Sequence, residues 1–425
     1  MSDPLRRRVC RIVFLLICIL PTAIALKWIL TPPTITQWES QLKNQTGLAA
    51  NVRDVKTPLP QETVLDGVQL TVSEETDPVE LGAVTISNTE RLKLIFVQSF
   101  KTTNNGLAEI AERLYRQVSE PPFPVRPFRV VVGQAQIAAE NINGSPIVQP
   151  IHGLTIDVQA TDSNFEATIK FRLKVAEDAP VVQITYTRLM HAAPQETWTV
   201  LSQQTDLPTW MLAEIIPQLK CLGTAALFEG SIRLTRSDQQ WDGTVSGDLR
   251  NVDLYHLVQV PFKQTALGSL NMRIRDCQFV DGRVEILDGT VTSTGGQLSK
   301  ELLNSFAENF SLGMPPFGDQ QFALDYGSMQ FDFKIQHELI NFNGDQHGTL
   351  LYAPNRDQIL LTNQSSWFPV SWLVKALGGK SEPSVPLSTR SLSRYLRMPA
   401  EDQAGSSEVP FISEGNRSPT QTFFQ

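Results

Sequence analysis

Residues 165–175 read Phe165-Glu166-Ala167-Thr168-Ile169-Lys170-Phe171-Arg172-Leu173-Lys174-Val175. Every second side chain is apolar, and those between are charged or carry a hydroxyl. An extended chain turns successive side chains to opposite faces, so this stretch predicts a strand with one face buried and the other in water. A helix would need its apolar positions three or four residues apart, which is not the spacing here.

The pattern spreads outward from that stretch. Strands are predicted at 128–132, 153–160 and 181–188, then at 225–234, 240–249, 268–274, 283–287 and 290–294, and again at 328–336, 339–343, 348–353 and 358–362. Among them a phrase recurs: a glycine, an alternating strand, a polar turn. It is seen in Glu229-Gly230-Ser231-Ile232-Arg233-Leu234-Thr235 and in Gly268-Ser269-Leu270-Asn271-Met272-Arg273-Ile274. Successive hairpins of this kind add to one sheet. The predicted fold is mainly β with a few short helices, in which a long curved antiparallel sheet forms a groove or taco-like trough. Some fifteen strands at about 4.8 Å spacing give it a length near ~70 Å. A closed sandwich core is the alternative for the same alternation. Helices are predicted at 36–46 (stopped by Gly47), 105–118, 207–219 (capped by Asp206), 299–310 and 367–377, placed to cap or plug such a sheet.

The first thirty residues differ in kind. Arg6, Arg7, Arg8 and Arg11 precede an apolar run at 12–30 that contains Ile12, Phe14, Leu15, Leu16, Ile17, Ile19, Leu20, Ile24, Leu26, Trp28 and Leu30. A helix of that length is about 28 Å long, close to the ~30 Å hydrocarbon core of a bilayer. Lys27 and Trp28 suit the interface, and the arginines hold the N-terminus in the cytoplasm. The expectation is a single-pass transmembrane helix with the rest of the chain outside. A cleaved signal peptide, cut after Ala23-Ile24-Ala25, is the competing reading and exports the body equally. The predicted organisation is a cytoplasmic basic start at 1–11, the anchor at 12–30, a mixed helix and strand region at 31–127, a strand-rich body at 128–379, and a basic, largely disordered tail at 380–425.

Composition narrows the function classes. The chain has 425 residues, 41% hydrophobic and 19% charged, which suits a folded body. Its net charge of -8, with no cationic stripe in the body, argues against nucleic acid as a partner. Of four cysteines, Cys10 and Cys18 lie in or beside the apolar run, leaving Cys221 and Cys277 in the body. In an oxidising compartment these two can form one disulfide, and the alternative is two buried free thiols. His337-Glu338 opens like a zincin helix, but Asn341 stands where the second ligand belongs. Gly378-Gly379-Lys380-Ser381 lacks the earlier glycine of a phosphate-binding loop. His337 and His347 sit where they can face each other across a hairpin, an arrangement that is usually structural. The expectation is a non-enzyme with no catalytic, metal or cofactor-binding residues.

Three stretches resemble the AsmA family of envelope proteins (AsmA/TamB-like). The first runs from the anchor through Leu42-Lys43-Asn44-Gln45-Thr46-Gly47 and Val52-Arg53-Asp54-Val55 to Leu65-Asp66-Gly67-Val68-Gln69-Leu70. The second is 268–303, with its Gly-Thr-Val-Thr-Ser-Thr-Gly-Gly run at 289–296, and the third is the Gly-led hairpin at 326–351. Together they cover about a third of the chain. The resemblance implies a body in the periplasm anchored in the inner (cytoplasmic) membrane, assisting envelope assembly or guiding phospholipid through an apolar groove. It implies the bilayer, phospholipid cargo and other envelope proteins as partners, with no cofactor. Two alternatives stand beside it: an anchored interaction scaffold with an apolar patch near Trp367, Phe368 and Trp372, and an extracytoplasmic hydrolase.

Overall fold

The structure, a computed structural model, describes residues 34–378 except 60, 72–77, 90–91, 120–126, 141–145, 162–163, 177, 190–194, 214–216, 238–239, 317–321, 356–358 and 364–365. The predicted anchor at 12–30 and the tail from 380 lie outside the described residues. Among the described residues no helix is long and apolar enough to cross a membrane.

Short strands open the fold: β1 Ala49–Asn51, β2 Asp54–Leu59, β3 Glu62–Asp66, β4 Val68–Thr71, β5 Val79–Leu81, β6 Val84–Asn88 and the longer β7 Lys93–Thr103. The middle is built from β8 Phe128–Glu140, β9 Pro146–Ala160, β10 Asn164–Arg172, β11 Val182–Leu189, β12 Gln195–Leu201, β13 Leu207–Pro208, β14 Leu227–Ser237, β15 Gln240–Asp253 and β16 Ala266–Val280. The last group is β17 Arg283–Ser293, β18 Gly296–Ser299, β19 Ala323–Tyr326, β20 Ser328–Gln336, β21 Leu339–Asn343, β22 Thr349–Tyr352, β23 Ile359–Thr362 and β24 Trp367–Pro369. All 24 belong to one long, open, curved sheet.

From β8 to β17 the path is an antiparallel meander, each strand hydrogen-bonded to the next except that β12 passes β13 to reach β14. The sheet forks at both ends. β7 carries β5 and β6 side by side on one edge, and β20 carries β21 and β22. Curvature has a visible source in register shifts along β15, β16 and β17, since each bulge bends its strand and increases the local twist. Gly230 faces Gly247, whose φ of 145° is open to glycine alone, and any Cβ at either position would strike the opposite backbone.

One pairing departs from the predicted antiparallel pattern. β7 and β8 are parallel, Lys93 to Phe128 through Thr103 to Ala138, joined by helix α2 (Asn104–Ser119). A parallel neighbour needs a long crossover, and the amphipathic helix seen at 105–118 supplies it. The sheet therefore continues across residue 127.

Helix α1 (Ile35–Thr46) begins after Thr34, whose N–H donates to Gln37 Oε1 at 3.0 Å, and stops at Gly47 with φ 68°. Helix α3 (Lys300–Phe310) is capped by Ser299, which accepts from the Leu302 N–H at 3.2 Å. Helix α4 (Ser371–Gly378) follows β24, so the stretch predicted as helix from 367 is strand first. Among the described residues of 207–219 there is no α-helix where one was predicted. Leu207–Pro208 is strand, and Thr209–Met211 and Pro217–Leu222 are 3-10 turns. Pro217, ten residues into the predicted helix, lacks the N–H that an α-helix would use there.

Buried side chains gather in two large clusters. The N-terminal cluster includes Leu65, Val68, Val79, Val132, Ile151, Val182 and Trp210, with Leu107 and Ile110 of α2 against it. The C-terminal cluster includes Val252, Leu270, Val291, Leu302, Phe310, Phe333, Phe342 and Phe368. A small third cluster holds Val158, Phe165 and Tyr186.

Candidate functional site

The registers of neighbouring strands align one apolar side chain from each of fourteen strands. Starting at β6 the row runs Ile86, Ile95, Val130, Ile156 and Ile169. It continues through Ile184, Val200, Ile232 and Val245 on β11, β12, β14 and β15. Cys277, Leu287, Ile335, Ile340 and Phe368 carry it across β16, β17, β20, β21 and β24. Thirteen steps of about 4.8 Å make a stripe about 60 Å long. That is roughly four times the ~15 Å that one acyl chain spans in half a bilayer core.

A shift of one residue along each strand gives the opposite face, and there the side chains are polar. On β8 to β12 they are Arg129, Asp157, Thr168, Thr185 and Thr199. Arg233, Thr244 and Gln278 continue on β14 to β16. Arg129 is ion-paired to Asp157, which pushes its pKa above the ordinary value. The alternation seen at 165–175 thus extends over most of the sheet.

The stripe is covered unevenly. Ile86, Cys277, Ile340 and Phe368 are buried; the other ten side chains are only half-buried. At the C-terminal end α3 and α4 lie over it. Phe310 is fully buried with ring centroids 5.6, 5.1 and 5.4 Å from Phe306, Phe342 and Phe368. At the N-terminal end α2 and the 3-10 turn at 209–211 fill the space, fastened by the Asn104 amide donating to the Trp210 carbonyl at 2.8 Å. Between them, Ile232 and Val245 pack against none of the three clusters. The segment joining β12 to β14 bridges the two ends, with Leu207 and Trp210 in the N-terminal cluster and Ala226 in the C-terminal one. Both ends of the stripe are thus packed, while Ile232 and Val245 at its middle are half-buried outside the clusters.

One step up from the stripe are Val158, Ala167, Tyr186, Trp198 and Leu234, where the Tyr186 and Trp198 rings lie 4.6 Å apart. A further step up brings charge: Arg188, Glu196 and Arg236 lie side by side on β11, β12 and β14, with Trp241 next on β15.

Elsewhere the chemistry is sparse. Cys221 and Cys277 are both free thiols, not a disulfide. Burial pushes Cys221 above the ordinary thiol value, and Cys277 up to about 12, so neither supplies a thiolate at neutral pH. His337 does not pair with His347; its Nδ1 bonds the Glu285 carboxylate, while the His347 N–H donates to Asp345. His256 Nδ1 lies 2.6 Å from Asp253 on a π-helical turn at Tyr255–Gln259. Among the described residues no group of three His, Cys, Asp or Glu is placed to hold a metal ion. Of the three side chains named for an apolar patch, Trp367 is 46% exposed, Phe368 is buried and Trp372 is half-buried, so only Trp367 opens to solvent.

The sheet was legible as alternating strands, but the alignment of the stripe and the charges above it were not. Glu196 and Arg236 look like outward-facing residues until the register places them on the inner face. Compared with known proteins, the chain matches no family model and no curated protein.

Proposed function

We propose that this protein is an AsmA-like, membrane-anchored envelope protein that binds or guides phospholipid in the trough and catalyses no reaction. The single observation that supports this is the half-buried stripe of Ile, Val and Leu crossing the sheet without a charged residue. Burial of apolar area contributes about 25 cal/mol per Å², so leaving Ile232 and Val245 half-buried outside every cluster is unfavourable unless something apolar covers them. An acyl chain has the right width, length and polarity. The apolar run at 12–30, with its leading arginines, would hold the body at the outer face of the inner membrane, within reach of its cargo.

Stoppers at both ends favour holding a lipid over passing it from end to end. A chain entering at the open middle need not displace Phe310 or Trp210. The test compares the full chain with Val245→Asp, both washed in lipid-free detergent, by mass spectrometry of extracted lipid. The reading expects phospholipid retained by the parent chain and lost from the variant. Equal lipid in both would overturn it.

A further inference from the structure

We infer that one long edge of the sheet rests on an anionic bilayer surface, touching it through the turn between β15 and β16 and the loop between β10 and β11. This rests on the anchored reading and adds to it the side on which the body meets the membrane. Three features carry the inference.

The first is placement. The registers set the end of β10, the start of β11, the start of β14, the end of β15 and the start of β16 along the same edge. β7 ends there too, and its last residues carry β5, to which β4 and β1 add in turn. Helix α1 leads through Gly47 into β1, and its Trp38 and Leu42 pack on the N-terminal cluster. Residues 31–33 alone separate Thr34, at the start of α1, from the apolar run at 12–30. A bilayer that holds the run therefore lies within about 14 Å of α1 and beside this edge.

The second is what the edge exposes. The chain passes from β15 to β16 through a π-helical turn, Tyr255–Gln259, and a single α-turn, Val260–Phe262. Leu254 and Val258 are buried in the C-terminal cluster, and Leu257 packs against it. The side facing away is apolar as well: Val260 is 58% exposed, Tyr255 is 40% exposed, and Pro261 is exposed beside them. A helical turn with one side in water would carry polar groups there. In the β10–β11 loop Val175 is 79% exposed and Val181 is exposed too. Four strand spacings of about 4.8 Å separate the two loops along the edge.

The third is charge. No Asp or Glu occurs from 254 to 275, while Lys263 ends the turn exposed. Asp253, the acid just before it, is taken up by the turn: it accepts from the Tyr255 N–H at 3.0 Å and lies 2.6 Å from His256 Nδ1. Exposed Val and Pro can enter the acyl boundary, the tyrosine ring suits the interface, and the lysine ammonium reaches lipid phosphate. At the opposite edge the β16–β17 turn exposes Val280 to 49%, but sets it beside Asp281, whose N–H donates to Asp242 at 3.0 Å. An anionic surface repels those carboxylates. With the apolar edge on the bilayer, the stripe runs along the membrane rather than away from it.

The experiment places the fluorescent amino acid Anap at Ile35, Val175, Val260 or Val280 of the full chain, in nanodiscs of phosphatidylethanolamine and phosphatidylglycerol. Nitroxide-labelled phospholipid is the quencher. Ile35, exposed at the start of α1, reports on the anchor, and Val280 on the opposite edge. Val175 and Val260 should lose about half of their fluorescence, as Ile35 does, and Val280 almost none. Replacing phosphatidylglycerol with phosphatidylcholine should weaken quenching at Val260 and leave Ile35 unchanged. Quenching at Ile35 without quenching at Val260 would overturn the resting edge while leaving the anchor intact, and would hand the exposed turn to a protein partner. Equal quenching at Val260 and Val280 would overturn it too, by showing no preferred edge. Quenching at Val260 that ignored phosphatidylglycerol would overturn the anionic surface. Absence of quenching at all four positions would overturn the anchored reading itself.

Discussion

The C-terminal end of the sheet and its middle carry the same stripe and treat it differently. Over β20, β21 and β24 the aliphatic row disappears beneath α3, α4 and a nest of aromatic rings around Phe310. Over β14 and β15 the row is equally apolar, but Ile232 and Val245 are only half-buried and belong to none of the clusters. Alternation thus specifies an apolar face; a covering element decides whether that face becomes a core or a surface for something else. The C-terminal end brings its own cover because a helix follows β18 and another follows β24. In the middle, β14 and β15 are joined directly, Ser237 pairing with Gln240, and the longer segments before β14 and after β15 pack into the two end clusters.

The contrast can be broken by disrupting fully covered positions and the half-buried middle in turn. Val182→Asp, at a fully buried site of the N-terminal cluster, should cost about 4 kcal/mol or more and leave the chain largely unfolded. Phe310→Ala should cost about 3–5 kcal/mol in denaturant unfolding, because the surrounding rings cannot close the space. Val245→Asp sits in the open middle and should cost only about 1 kcal/mol while abolishing lipid retention. If Val245→Asp proved as damaging as Val182→Asp, the middle would be a true core and the contrast would vanish.

A smaller effect tests the polar fringe of the covered end. The Tyr352 hydroxyl, the main cause, and backbone N–H groups hold the Asp345 carboxyl below its ordinary 3.8. A depressed carboxyl stabilises the fold above its unfolded pKa, and that contribution is lost as pH falls through the folded value. Tyr352→Phe should therefore lower Tm slightly at pH 7, and the difference should fade as pH falls below the ordinary carboxyl value and Asp345 becomes protonated in both. A difference that does not shrink on acidification would assign the loss to packing.

Much of this architecture was legible from residues alone, and the gaps have physical causes. β10 and the hairpin strands announce themselves because one wet face forces strict alternation. Ser299 and Gly47 mark helix ends because the backbone groups there need those residues. β7 was missed because Leu94-Ile95-Phe96-Val97 is a continuous apolar run, and its parallel partner is separated by a helix. β12 was missed because the inward Glu196 breaks its alternation. The stripe was beyond reach for a different reason. Each strand reveals which residues share a face, but cross-strand alignment depends on turns and bulges that a lone strand does not encode.

The most direct measurement places a photo-reactive benzoylphenylalanine at Ile232, on the stripe, and at Thr244, one residue round to the opposite face of the neighbouring strand. Irradiated in cells and analysed by mass spectrometry, the full chain should carry phospholipid adducts at 232 and none at 244. Adducts at both positions in equal yield, or at neither, would contradict a lipid-lined trough.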